Sequence, residues 1–277
     1  MALIVIPARF SSKRFPGKPL VKIFGKEMIL HVYERAKKSK LAKEVIVATD
    51  DETILNCVKN ANGKAILTSK DIKSGTDRVW EVAKDKDYEI IVNVQGDEPL
   101  ISSDVIDRAI IELKNDKNAD ITTPVKKIEN KDDIHNPNVV KVAFGENFYA
   151  LYFSRSPIPY FRDNSNKGEF FKHIGLYCFR KKALEKFVHF KEGKLEKIEK
   201  LEQLRALENF LKIKVFITDY ESISIDTPED LSKLSRYFRS IWNRFPFFWN
   251  KFNYCGIIFS KNLFWPIDNI FLGNFFY

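Results

Sequence analysis

Cysteine is scarce in this chain of 277 residues: Cys57, Cys178 and Cys255 are three in number and far apart. An odd, widely spaced set excludes a disulfide framework and a CxxC metal or redox site, and points to a reducing, cytoplasmic setting. Histidine is nearly as rare, with four scattered residues, so a zinc site has little to build on. Long hydrophobic runs are missing as well. No stretch reaches the roughly 18 apolar residues of a membrane span. The apolar start of MALIVIPARF is short and has no basic region before it, so a buried first strand is expected there rather than a signal peptide. Blocks of five or six like charges are also lacking.

What is present is enough for one large core, alone or with a smaller lobe: 44% hydrophobic and 30% charged residues. The formal net charge is +9. Such a balance suits nucleic acid, anionic lipid or a polyanionic small molecule, and equally a lysine-rich solvated surface.

Strand-like and helix-like segments alternate through the first half. Leu3–Pro7, Glu44–Ala48, Ala65–Leu67, Glu89–Val94 and Ile121–Val125 are short, nearly continuous apolar runs, as in strands covered on both faces. Met28, Ile29, Val32, Tyr33 and Ala36 recur at helical spacing, as do Ile54, Leu55 and Val58; Ser74 and Ser103 stand as caps of two further helices. This order predicts an α/β fold with a doubly wound, mostly parallel sheet and ligands at the carboxyl ends of its strands. The second half predicts strands at Val139–Phe144, Tyr149–Phe153, Ile174–Phe179 and Lys214–Thr218. It also predicts a helix over Ile198–Leu211 and a last helix from Pro228.

Three segments carry candidate chemistry. The loop Pro7–Leu20 holds Arg9, Lys13, Arg14 and Lys18, punctuated by Pro16, Gly17 and Pro19, which prevent a regular helix. At the end of a buried strand it can wrap a phosphate, although it is neither a Walker A sequence nor a GxGxxG fingerprint, and an exposed basic turn fits the same residues. Gln95-Gly96-Asp97-Glu98-Pro99 follows the most apolar strand. There Asp97 is a candidate magnesium ligand, since magnesium needs few protein carboxylates when a nucleotide supplies the rest. Asp226, in Ile225-Asp226-Thr227-Pro228, sits where a strand-like run gives way to a helix, a position that helix capping also explains.

IPARFSSKRFPGKPL, VATDD, SGTDR, VNVQGDEPLI, NPNVVKV, ALYFSRSPIP, HIGLYCFR, LEQLRALE and IDTPEDL occur in that order. From residue 2 to about 240 the chain thereby resembles the CMP-Kdo synthetases, the 3-deoxy-manno-octulosonate cytidylyltransferases. The first and fourth blocks are shared loosely with other sugar nucleotidyltransferases, and the later ones are more specific. The resemblance implies transfer of CMP from CTP to the sugar Kdo for lipopolysaccharide biosynthesis, with Mg2+ as cofactor, by a cytoplasmic homodimer. It implies a nucleotide-diphospho-sugar transferase fold over 1–240, with a smaller sugar-binding and dimerisation lobe at about 135–190. By position it assigns Arg9, Arg14 and Lys18 to the CTP phosphates. Ser74, Gly75, Arg78, Gln95 and Gly96 fall to the nucleotide, and Asp97 and Asp226 to the metal. Arg155, His173, Tyr177, Glu202 and Gln203 fall to the sugar, with Arg9, Lys18, Asp97 and Asp226 as the catalytic set.

Two rival readings use the same residues. A cytidylyltransferase for another acidic sugar, a nonulosonate or amino-Kdo, differs only at the sugar site, where HIGLY and LEQLR favour Kdo. A basic nucleic-acid-binding protein requires aromatics interleaved with the cations. Phe10 and Phe15 meet that in part, but the acidic Asp97 motif argues against a nucleic-acid partner. After about Ser240 the composition changes: 14 of the last 37 residues are Phe, Trp or Tyr. Charges at Lys251, Lys261 and Asp268 break this tail below spanning length. It suits a weak membrane-surface contact, a segment folded back on the enzyme, or an extension without function.

Overall fold

The computed structural model describes residues 1–11, 15–162, 168–232 and 234. Arg14 and the aromatic tail lie outside the described residues, as does the last expected helix beyond 234. Met1–Leu231 form one compact unit.

The chain begins with β1 (Ala2–Ala8), the basic loop, a 3-10 turn at Lys18–Leu20, and a hairpin of β2 (Lys22–Ile23) and β3 (Lys26–Glu27). Then follow α1 (Met28–Ala36), β4 (Ala42–Thr49), α2 (Glu52–Asn60), β5 (Ala65–Leu67), α3 (Gly75–Ala83), β6 (Ile90–Val94), α4 (Ser103–Asn115), β7 (Ile121–Lys127) and α5 (Lys131–His135). The second half runs β8 (Lys141–Phe144), β9 (Ala150–Ser154), β10 (Phe171–His173), β11 (Leu176–Arg180), α6 (Lys181–His189), α7 (Lys194–Glu199), α8 (Gln203–Glu208) and β12 (Ile213–Ile217).

The strands form one sheet in the order β5-β4-β1-β6-β11-β7-β10-β8-β9, with β12 added beside β7. β1 shows why helices cover both faces. Every residue of it is buried, and the two-residue period of a strand divides them. Ala2, Ile4 and Ile6 pack with α1, α2 and α4, while Leu3 and Val5 pack with α3, α6 and α8. The doubly wound α/β class read from the apolar runs is therefore the observed one. β5, β4, β1 and β6 are its parallel part. Beyond β6 the sheet turns antiparallel through β11, β10, β8 and β9, with β12 parallel to β7. β8 to β11, from the region expected as a smaller lobe, thus extend the same sheet.

Two local features depart from the sequence pattern. The strand β10 has three residues, too few for a hydrophobic period to register. The single helix expected over Ile198–Leu211 is broken into α7 and α8 by Lys200, whose backbone is left-handed at φ 54°. A helix end frees carbonyls that need donors. Arg155 supplies them: its Nε donates to Glu199 O at 2.7 Å and its Nη2 to Lys200 O at 3.4 Å. The break is also held by a buried pair, Arg205 Nη2 to Glu196 Oε1 at 2.6 Å.

Candidate active site

The order β4-β1-β6 places the reversal of strand order between β1 and β6, and an open α/β sheet binds ligands at the carboxyl ends of such strands. A cleft of about 850 Å³ lies there. Pro7, Ala8 and Arg9 enter it from the end of β1, Gln95, Gly96 and Asp97 from the end of β6, and Gly75 and Thr76 from the start of α3. The α3 N-terminus is capped by Ser74, whose Oγ accepts from Asp77 N at 3.0 Å. Gly75 and Thr76, its first residues, line the cleft, and the positive end of a helix dipole is a setting for phosphate.

Two glycines are required by geometry. Gly17 adopts φ 69° and closes the basic loop by donating its N–H to Phe10 O at 3.0 Å. At Gly96 a Cβ would stand 2.7 Å from Pro7 O, so only glycine lets the β1 and β6 loops approach this closely.

Asp97 and Asp226 converge although they lie 129 positions apart. Lys18 Nζ sits between them, 2.7 Å from Asp97 Oδ2 and 3.1 Å from Asp226 Oδ1. Burial works against this ammonium, but the two carboxylates outweigh it and hold its pKa above the usual lysine value. Two carboxylates aimed at one cation position are what a magnesium ion shared with a nucleotide needs. Among the described residues no group of three or more His, Cys, Asp or Glu is placed to hold a metal by itself, so an ion at Asp97 and Asp226 would need further oxygen donors from a bound nucleotide.

Next to Asp97, Glu98 is 5% exposed and accepts from Ser222 Oγ at 2.5 Å and from Tyr220 OH at 3.4 Å. Burial lifts its pKa to about 7 against those hydrogen bonds, and the charges of Asp97 and Asp226 push the same way.

The expected sugar residues His173, Tyr177, Glu202 and Gln203 line the same cleft. Tyr177 OH donates to Gln203 Oε1 at 3.1 Å, and Thr76 Oγ1 donates to Glu202 Oε2 at 2.7 Å. Burial raises the pKa of both Tyr177 and Glu202. Gln95 Nε2 donates to Asn93 Oδ1 at 3.1 Å, and Asn93 Nδ2 to Thr76 Oγ1 at 3.4 Å, so one hydrogen-bonded chain runs from Gln95 to Glu202. Thr123 Oγ1 gives its one proton to a carbonyl, Leu176 O at 2.8 Å or Ile174 O at 3.2 Å. It therefore accepts from His173 Nε2, 2.8 Å away, which leaves Nδ1 of the ring as an acceptor. Burial pushes His173 down to about 3.

The neutral ring has a consequence for pH. An unfolded histidine takes up a proton near pH 6.5 and native His173 does not, so its contribution to stability is full above that value and is lost as pH falls. The His173 Cε1 proton is expected to show no NMR titration between pH 8 and 5. His173→Gln is expected to flatten the loss of stability over that range; a shift centred near 6.5 would overturn the assignment.

Three residues expected in the site stand outside the cleft wall. Ser74 is committed to its cap. Arg78 is fully buried behind α3, with Nη2 on Asp50 Oδ2 at 2.9 Å and Nη1 on Thr68 Oγ1. Arg155 spends its guanidinium on the carbonyls freed at Lys200 and on Pro137 O at 2.8 Å. Sequence reasoning passed over Glu98, Asn138, Lys172, Ser222 and Ser224, all of which line the cleft. Glu98 and Asn138 lie in quoted motifs with nothing to distinguish them, and the two serines lie in no motif.

An α/β sheet with a cleft at its switch point, where Lys18 sits between two carboxylates, is a setting for nucleotide binding, and similarity to known proteins specifies a nucleotidyltransferase. Residues 3–213 match the family model described as Cytidylyltransferase. A 3-deoxy-manno-octulosonate cytidylyltransferase of Thermodesulfovibrio yellowstonii is 52% identical over 245 residues, covering 83% of this chain and 95% of that protein. One of Geotalea daltonii is 50% identical over 240 residues, covering 83% and 95%. A solved CMP:2-keto-3-deoxy-manno-octonic acid synthetase complexed with CTP superposes with a TM-score of 0.82 at 40% identity, covering 86% of this chain and 98% of that one. HddC of Yersinia pseudotuberculosis, at 19% identity and TM-score 0.60, shares the fold. The chain belongs to the 3-deoxy-manno-octulosonate cytidylyltransferase family.

Proposed function

We propose that this enzyme transfers CMP from CTP to the anomeric hydroxyl of Kdo, releasing pyrophosphate, with Asp97 and Asp226 as magnesium ligands. The observation that carries the metal assignment is the Lys18 ammonium held between those two carboxylates at the sheet's switch point. Phosphoryl transfer depends on alignment and on neutralising spread negative charge. Arg9 and Lys18 meet the triphosphate from the β1 loop, and the α3 amides add further donors. Gln95 and Gly96 hold the nucleotide against the sheet. Glu202, Gln203, Tyr177 and the Nδ1 of His173 offer acceptors and donors to the sugar hydroxyls. Asp97 and Asp226 would hold the magnesium ion, which would supply charge neutralisation at the phosphates and a lowered pKa for the attacking hydroxyl.

The family supports a place in lipopolysaccharide biosynthesis, in the cytoplasm, as a homodimer. Among the described residues no helix is long and apolar enough to cross a membrane.

Pyrophosphate release from CTP with Kdo, with nonulosonates and with no sugar tests the substrate directly; release with a nonulosonate above that with Kdo would replace the acceptor. His173→Ala or Gln203→Ala is expected to weaken Kdo use by about 1–3 kcal/mol in transition-state terms while CTP binding stays nearly intact. Equal losses for both substrates would instead indicate general damage to the fold.

A further inference from the structure

We propose that Glu98 is a positioning residue that carries Asp226 to the cation site. This rests on the reading of Asp97 and Asp226 as metal ligands. Asp97 lies three residues beyond the end of the central strand β6, which places its short loop. Asp226 has no such support: residues 218–226 belong to no strand or helix. The segment is instead pinned to the Asp97 loop. Ile225 N donates to Asp97 O at 3.0 Å. Both oxygens of Glu98 are used on residues two apart in that segment, Oε1 by Ser222 and Oε2 by Tyr220. On the other side, Asp230 Oδ2 accepts from Asp226 N at 3.0 Å and from Thr227 N at 2.9 Å, which fixes the following turn.

Burying a carboxylate is costly and persists where its acceptors are occupied. Glu98 is buried, and its two oxygens meet the very stretch that must bring a distant aspartate within reach of Lys18. Ser222 and Ser224 from this stretch also line the cleft. The ordering of the segment and the shaping of the metal site are therefore one event. Partners behind metal-ligating groups act in this way, and their loss typically weakens metal affinity or activity about 10–100-fold.

The test compares Glu98→Ala, Glu98→Gln, Ser222→Ala and Asp226→Asn in the full chain. Two quantities are read: the Mg2+ concentration for half-maximal pyrophosphate release, and, by electron paramagnetic resonance, the Mn2+ held by the enzyme–CTP complex beyond that held by CTP alone. Glu98→Ala is expected to raise the Mg2+ requirement by about tenfold or more and to weaken Mn2+ binding alike. Glu98→Gln keeps an acceptor for Ser222 and should restore most of both. Ser222→Ala should shift both quantities in the same direction by a smaller factor, and the double variant Glu98→Ala/Ser222→Ala should be no worse than Glu98→Ala. A lowered kcat with an unchanged metal requirement in Glu98→Ala, or glutamine as harmful as alanine, would overturn the proposal. If Asp226→Asn itself left Mn2+ binding untouched, the metal reading would fail instead, so the two failures are distinguishable.

Discussion

Asp97→Asn is expected to give a folded protein with no measurable pyrophosphate release, and Asp226→Asn one slowed by several orders of magnitude. The fold should survive because neither side chain belongs to the core. Their side chains are 25% and 40% exposed, and the Ile225 bond to the Asp97 loop uses the main-chain oxygen. What is lost is the negative charge that makes two loops a cation site. A group acting in the transition state depresses the chemical step more than substrate binding, so kcat should fall far more than CTP affinity. Circular dichroism and melting temperature establish the fold, and single-turnover rates with CTP and Kdo measure the loss. Near wild-type activity of Asp226→Asn at limiting magnesium would remove it as a ligand.

The largest expected effect on stability lies behind the site. The Arg78 guanidinium has no exposure to solvent, and its Nε has no hydrogen-bond partner among the described residues. Burial lowers its pKa, and the nearby Asp50 carboxylate offsets part of that cost. Removing one partner of a buried pair leaves the other charge uncompensated, at about 3–5 kcal/mol. Asp50→Ala is therefore expected to lower the melting temperature by about 10 °C. Arg78→Met should cost less. The charge it strands belongs to Asp50, whose side chain keeps 9% of its surface exposed and can hydrate. Thermal melts of both variants at one pH check the order, and a milder Asp50→Ala would show that the pair is not what holds this corner. Because Arg78 joins the end of β5 to α3, the loss should also loosen Gly75 and Thr76 at the cleft.

Much of the site was legible because its residues follow strands. The run before Pro7 and the run before Gln95 are apolar enough to be recognised as buried, and whatever follows a buried parallel strand faces the crevice. That placed Arg9, Lys18, Gln95, Gly96 and Asp97 without coordinates. Arg155 was not legible in the same way. Its role follows from the helix break at Lys200, and a left-handed residue that is not glycine leaves no mark in the hydrophobic pattern. Arg78 misleads for a related reason: SGTDR opens a helix that does line the cleft, but the helical turn carries the arginine to its buried side.

The sequence by itself determined the order of strands and helices, the basic and acidic loops, and the family. Each of these is written in local periods and contiguous blocks. Only the tertiary structure decided that Lys18 sits between Asp97 and Asp226, that Glu98 is buried beneath the loop that carries Asp226, and that the sheet turns antiparallel beyond β6. Those outcomes depend on hydrogen bonds between residues tens to hundreds of positions apart, such as Lys18 with Asp226 and Glu98 with Ser222. Such bonds form when the packed sheet brings loops together, and no local pattern of residues encodes which loops will meet.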